Sequence, residues 1–270
     1  TSIDSTLNWS TTAAVQVSAA ESLTVDSETR DWRLSIEHTF TDRIALRLQV
    51  PYRNIGAGSL DGFIDNWHAF FGLPEGDRPL LATNQFAIRY RRNNLTTLNV
   101  VRPQSGLGDV RLDAGYQLLA TTSSAMSLWL GVKLPTSSDQ SLASDSVDVS
   151  TGLATTRKLS SRWQTFGQVA VVHLGSGRVL PAQQREWLAH GYLGFDYLAM
   201  RALTLTLQLE GHSATFKNTS LDLLGNTWIL AMGGDYRLAN DWRVQLGVSE
   251  DVKVESSPDV TFVLSISKRL

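Results

Sequence analysis

Glu210, His212 and Ser213 place a carboxylate, an imidazole and a hydroxyl in one short segment, the side-chain set that nucleophilic catalysis uses. They end an extended run in which Leu203, Leu205, Leu207 and Leu209 alternate with Thr204, Thr206, Gln208 and Glu210. Successive side chains of a strand turn to opposite faces. Glu210 and His212 then share one face and Ser213 takes the other, so the base cannot reach the hydroxyl as proton transfer requires. Lipid hydrolysis is accordingly the third of three functional readings, and no catalytic residue is assigned. His38, His68, His173 and His190 lie on separate segments without His-x-His or His-Glu-x-x-His spacing, and Asp139, Asp145 and Asp148 do not form a calcium loop. No metal ligand and no cofactor are expected. Gly106-x-Gly108 lacks the third glycine and the following helix of a nucleotide loop and reads as the start of a strand.

Composition narrows the field. The 270 residues contain no cysteine, which removes disulfides and thiolate chemistry, and 24 Lys and Arg against 26 Asp and Glu leave a net charge of −2 without a basic patch for nucleic acid. Mean hydropathy is −0.10. No run approaches the roughly 20 apolar residues of a membrane helix. A transmembrane barrel escapes that criterion, because only every second residue must be apolar. The first residue is Thr1, as in an exported protein after removal of its leader.

The alternation of residues 203–210 returns along the whole chain. It runs through Leu7 to Val15, Trp32 to Phe40, Ile44 to Tyr52, Val110 to Leu118, Met126 to Leu134, Val147 to Leu153, a strand from Trp163, Trp187 to Tyr197, Trp228 to Leu238, Trp242 to Val248 and Val260 to Ile266. The expected fold is all-β: one domain over 1–270, a closed antiparallel transmembrane barrel of about 12 strands, even in number as single-chain bacterial barrels require. Connections at 41–43, 120–125, 157–162, 198–202 and 239–241 are short. Those at 53–106, 135–146, 174–186, 213–225 and 251–258 are longer. Short turns face the periplasm in such barrels, which predicts periplasmic termini. Six of the eight tryptophans fall where interfacial girdles belong. Trp9, Trp163 and Trp242 are expected near the periplasmic end and Trp32, Trp187 and Trp228 near the outer end, with Trp129 inside and Trp67 in a loop.

The inner face would carry Arg33, Glu37, Arg47, Arg111, Asp113, Lys133, Asp196, Glu210, His212, Asp235, Arg237 and Arg243 as lumen-lining residues. About twelve strands tilted by about 40° give a backbone radius of roughly 11–12 Å. Such charges could line a hydrophilic passage or fill it with an ion-pair network. Their near balance speaks against strong ion preference.

Within 53–106, Leu60, Phe63, Ile64, Trp67, Phe70 and Phe71 recur at helical spacing, with Ser59 as expected N-cap and Gly72 and Pro74 as the stop. Phe63, Ile64, Trp67, Phe70 and Phe71 form a bulky apolar face that needs a surface. The extracellular barrel mouth is the expected one, which would make this face a plug, with the outer leaflet or a partner as the alternative. Residues 84–91 and 95–101, joined by Asn93-Asn94, predict an extramembranous hairpin.

SLDGFIDNWHAFFGLP (59–74), SGLGDVRLDAGYQLL (105–119), KLPT (133–136), QQREW (183–187) and GHSA (211–214) together resemble an uncharacterised proteobacterial outer-membrane family of unknown function. The GLGD-V-R-L strand is also similar to outer-membrane proteins associated with meta-pathway phenol degradation. The first resemblance covers nearly the whole chain and implies an outer-membrane barrel, with no activity to carry over. The end, Lys268-Arg269-Leu270, departs from the aromatic terminus frequent in such strands. The sequence therefore favours passive passage of a small polar or amphiphilic solute. A closed structural barrel that binds a partner or lipopolysaccharide is the alternative. Outer-membrane lipid is the expected surrounding, and a monomer is favoured over an oligomer.

Overall fold

The computed structural model describes residues 1–137, 139, 142–253 and 256–270. Period-two alternation becomes fifteen strands of one sheet: β1 (Ser2–Val17), β2 (Glu21–Thr39), β3 (Ile44–Gly56), β4 (Ala87–Arg92), β5 (Leu95–Val100), β6 (Gln104–Leu107), β7 (Val110–Ala120), β8 (Ser124–Leu134), β9 (Asp148–Lys158), β10 (Trp163–His173), β11 (Trp187–Leu198), β12 (Leu203–His212), β13 (Thr227–Arg237), β14 (Trp242–Asp251) and β15 (Val260–Arg269). β1 pairs with β15, Ser2 opposite Arg269 and Thr11 opposite Val260, which closes the sheet on itself. β6 and β7 pair in succession with β3 and together make one wall strand. The ring therefore has twelve antiparallel strands, as expected.

Outward positions are apolar. Leu207, Met232, Leu246 and Leu264 are exposed in a band around the wall, while Ser265, Asp113 and Ser150 on the inner side are buried. Trp163 and Tyr197 stack at the short-turn end with centroids 4.8 Å apart, and Lys268 caps Trp242 there. Trp187 and Trp228 open β11 and β13 at the long-loop end. Trp9 departs from its expected place. β1 begins at Ser2, so Trp9 stands toward the long-loop end, opposite Phe262 and Arg30.

The first hairpin is longer than its alternation signals. β1 and β2 stay paired up to Val17 and Ser22, beyond the start of β15 at Val260. The expected hairpin of β4 and β5, turned by Asn93 and Asn94 at φ 48° and 64°, adds to the upper part of β2. The β1 edge that β15 leaves open is closed by side chains: Asp77 Oδ2 accepts the Val15 N–H at 2.7 Å.

The amphipathic helix forms as α1 (Asp61–Phe71), ended by Gly72 at φ 67°. Its surface is not the mouth. Phe63 and Trp67 pack edge-on against Phe262 at 5.6 and 5.7 Å, and Phe262 shares the outward face with Leu264 and Ile266. Trp67 Nε1–H donates to Glu250 Oε1 at 3.0 Å. The helix therefore lies on the outer wall beside the β1–β15 seam. The expected plug of Phe63, Ile64, Trp67, Phe70 and Phe71 is corrected accordingly: Ile64 is buried, but Phe70 is 81% exposed and covers no opening. Ser59 is not the cap either. Glu28 on β2 accepts the Ser59 and Leu60 N–H groups at 2.6 and 3.0 Å, placing a carboxylate at the positive end of the helix. Gly58, at φ +70°, lets the chain pass over that carboxylate, where a Cβ would collide with it.

Candidate functional site: the barrel lumen

The register shows how several of the expected lumen residues meet. Glu37, Arg47 and Asp113 lie opposite one another across β2, β3 and β7. Arg47 donates to Glu37 at 2.7 Å and stacks on Trp129, its guanidinium 4.3 Å from the ring centroid. Gly115 makes that seat, since a Cβ there would stand 2.8 Å from the indole. Arg111 bonds Asp113 and Ser150, each at 2.8 Å. Lys133 lies 3.0 Å from Asp109 and 2.8 Å from Asp148. Arg53 donates to Asp31 at 2.6 Å and to the Leu142 carbonyl at 2.6 Å, and Arg33 stands 3.9 Å from the same Asp31. The wall from β2 to β9 is thus lined by matched charges.

The opposite wall differs. A cavity of ≈ 820 Å³ opens there, lined on its inner side by Lys158, Arg162, Gln164, Phe166, Tyr192, Asp196, Gln208, Asp235, Arg237, Arg243 and Gln245. Asp196 accepts the Thr206 hydroxyl at 2.7 Å. Among the described residues, Lys158, Arg162, Asp235, Arg237 and Arg243 make no ion pair. Arg237 and Arg243 are direct cross-strand neighbours, a like-charge placement that water or an anion must relieve. This end of the lumen therefore presents four cations against two carboxylates.

Nearer the long-loop end, His190 and Glu210 lie 3.1 Å apart. His212 Nδ1 faces the Ser213 carbonyl at 2.9 Å, and the Ser213 hydroxyl accepts the Ala189 N–H at 2.9 Å. The imidazole does not hold the hydroxyl, so this segment forms no nucleophile and base pair.

The long-loop mouth is covered by residues that sequence reasoning did not single out. Leu23 and Tyr90 lie opposite each other on β2 and β4, and with Leu180 and Leu221 they form a buried cluster flanked by Val25, Leu98, Val179, Phe216, Leu223 and Leu224. Leu180 comes from the loop after β10, across the ring from β2, and Leu221 from the loop after β12. Gln183 Nε2 donates to Tyr90 Oη at 2.8 Å, and Thr219 donates to Glu21 at 2.7 Å. Burial holds the Tyr90 phenol above its ordinary range. The signal available in sequence was a pair of apolar residues in each polar loop, Val179-Leu180 and Leu223-Leu224, without a sign of what they meet.

Outward apolar band, aromatic ends and charged interior define a closed β-barrel of the outer-membrane type. The chain belongs to the family described as protein of unknown function DUF3187, whose model matches residues 3–270. No curated protein matches it. Its fold is similar to that of the COG4313 outer-membrane channel from Pseudomonas putida F1, at 16% identity and a TM-score of 0.66 over 99% of this chain and 94% of that one. It is also similar to the KdgM porin in complex with disordered oligogalacturonate, at 10% identity and a TM-score of 0.54 over 100% and 99% of the two chains. The NanC porin aligns at 7% identity and a TM-score of 0.54, over 99% and 100%.

Proposed function

We propose that this protein is a passive outer-membrane channel for a small polar or amphiphilic solute, without catalytic activity. Short turns and both termini face the periplasm, and the barrel works as a monomer in outer-membrane lipid. The observation that carries the reading is the ≈ 820 Å³ cavity with its unpaired Arg237 and Arg243. Arg237 and Arg243 are exposed beside this cavity, so their charges are solvated there and not neutralised by a carboxylate as Arg47 is by Glu37, which suits a water-filled lumen. The route runs beside the ion-paired wall, and the residues expected to line the pore act there as partial substitutes for the solute's hydration shell. Access is limited by the loops that carry Leu142, Leu180 and Leu221, and α1 takes no part in it.

The cluster around Tyr90 favours a second reading, a closed structural or interaction barrel. Liposome swelling separates the two. Proteoliposomes placed in isosmotic solutions of small sugars and amino acids swell if the lumen conducts solute. Swelling no faster than in protein-free vesicles, before and after Leu180→Ser with Leu221→Ser, would establish the closed barrel.

A further inference from the structure

The segment with the least settled environment is α1. Three of its aromatic side chains, Phe63, Phe70 and Phe71, are 52%, 81% and 55% exposed. Its dock lies within the apolar band. Phe262 pairs with Val248, and Val248 stands on β14 between Trp242 at the short-turn end and Val252, whose N–H bonds the Trp228 carbonyl at the other. Beneath Trp67 runs an outward groove of ≈ 800 Å³ lined by Leu7, Trp9, Leu205, Met232, Leu246, Phe262 and Leu264. The polar side of the same helix is taken up elsewhere: Asp61 and Asp65 both accept hydrogen bonds from Arg78, at 3.1 and 3.0 Å.

We infer that α1 is an in-plane anchor seated in the outer leaflet, and that an acyl chain of an outer-leaflet lipid fills the groove beneath it. This rests on the outer-membrane placement proposed above. Three large aromatic faces exposed to water on one short helix would be costly, whereas an amphipathic helix gains by laying such a face at the boundary of headgroups and chains. The groove floor is continuous with the lipid-facing wall, so its occupant is the hydrocarbon that covers Leu246 and Leu207.

The chain has no cysteine, so one introduced cysteine carries a single nitroxide. Four variants are compared in dimyristoylphosphatidylcholine vesicles by power saturation with oxygen, which concentrates in hydrocarbon, and with a nickel complex, which stays in water. Phe70→Cys tests the helix, Met232→Cys the groove floor, Glu75→Cys the exposed turn after the helix, and Leu130→Cys the far outward wall. The inference expects labels at 70, 232 and 130 to favour oxygen and the label at 75 to favour nickel. If 70 or 232 favours nickel while 130 favours oxygen, the anchor or its acyl occupant is refuted and the barrel stands. If 130 also favours nickel, the membrane placement itself fails and the inference falls with it.

Discussion

Arg78 Nη1 lies 3.2 Å from Asp259 Oδ2, and this contact joins the loop after α1 to the residue just before β15. The same guanidinium reaches Asp61, Asp65 and the Thr11 hydroxyl on β1. One buried cation thus fastens the helix to the seam where the first and last strands close the barrel. Hydrogen bonds and the opposing carboxylates hold Arg78 above its ordinary range in spite of burial.

Arg78→Met leaves those carboxylates without their partner. Breaking a buried charge cluster from one side costs about 3–5 kcal/mol. Urea unfolding followed by the heat-modifiable gel shift is expected to show a loss of that size, and Asp65→Asn, on a largely exposed partner, much less.

Burial raises the Asp259 carboxyl to about 7 from its ordinary 3.8, and the Arg78 cation opposes the shift. Asp251 faces it from β14, and Arg78 ties it to Asp61 and Asp65 of the helix. The folded protein then holds a proton that the unfolded chain releases near 4, so stability falls as pH rises from about 4 to 7. The seam should be more stable at pH 5 than at pH 8, and Asp259→Asn should remove most of that difference. His68 nearby is pulled below its usual range by burial and by Arg78.

Leu207 faces outward and Gln208 inward, toward the cavity. Arg at 207 is expected to cost about 2–4 kcal/mol in bilayer unfolding and Arg at 208 much less. Equal penalties would contradict the assignment of faces.

The excess of cations over carboxylates in the cavity predicts a mild preference for anions, contrary to the neutrality suggested by summing the inner face. In a potassium chloride gradient, Arg237→Gln with Arg243→Gln should move the reversal potential toward neutrality with stability unchanged or raised, because the like-charge neighbours are relieved.

Alternation made the barrel legible, down to twelve wall strands, because a side chain's side depends only on the parity of its position. Which charges meet depends on register, so Arg47 with Glu37 and Arg53 with Asp31 could not be read beforehand. The helix was legible for the same local reason as the strands, yet its docking surface was not. A hydrophobic stripe records that it must be covered and says nothing of what covers it. The Glu28 cap and the cluster of Leu23, Tyr90, Leu180 and Leu221 join residues far apart in the chain, which no local pattern encodes.

The central claim is an aqueous path through the lumen, and single-channel recording in a planar bilayer tests it most directly. Purified protein should give discrete conductance steps. Leu180→Ser with Leu221→Ser should enlarge them by loosening the covered mouth, whereas a Gly/Ser linker in place of 59–74 should leave step size unaltered. Silent bilayers for the wild type and for the loosened mouth alike would contradict the account.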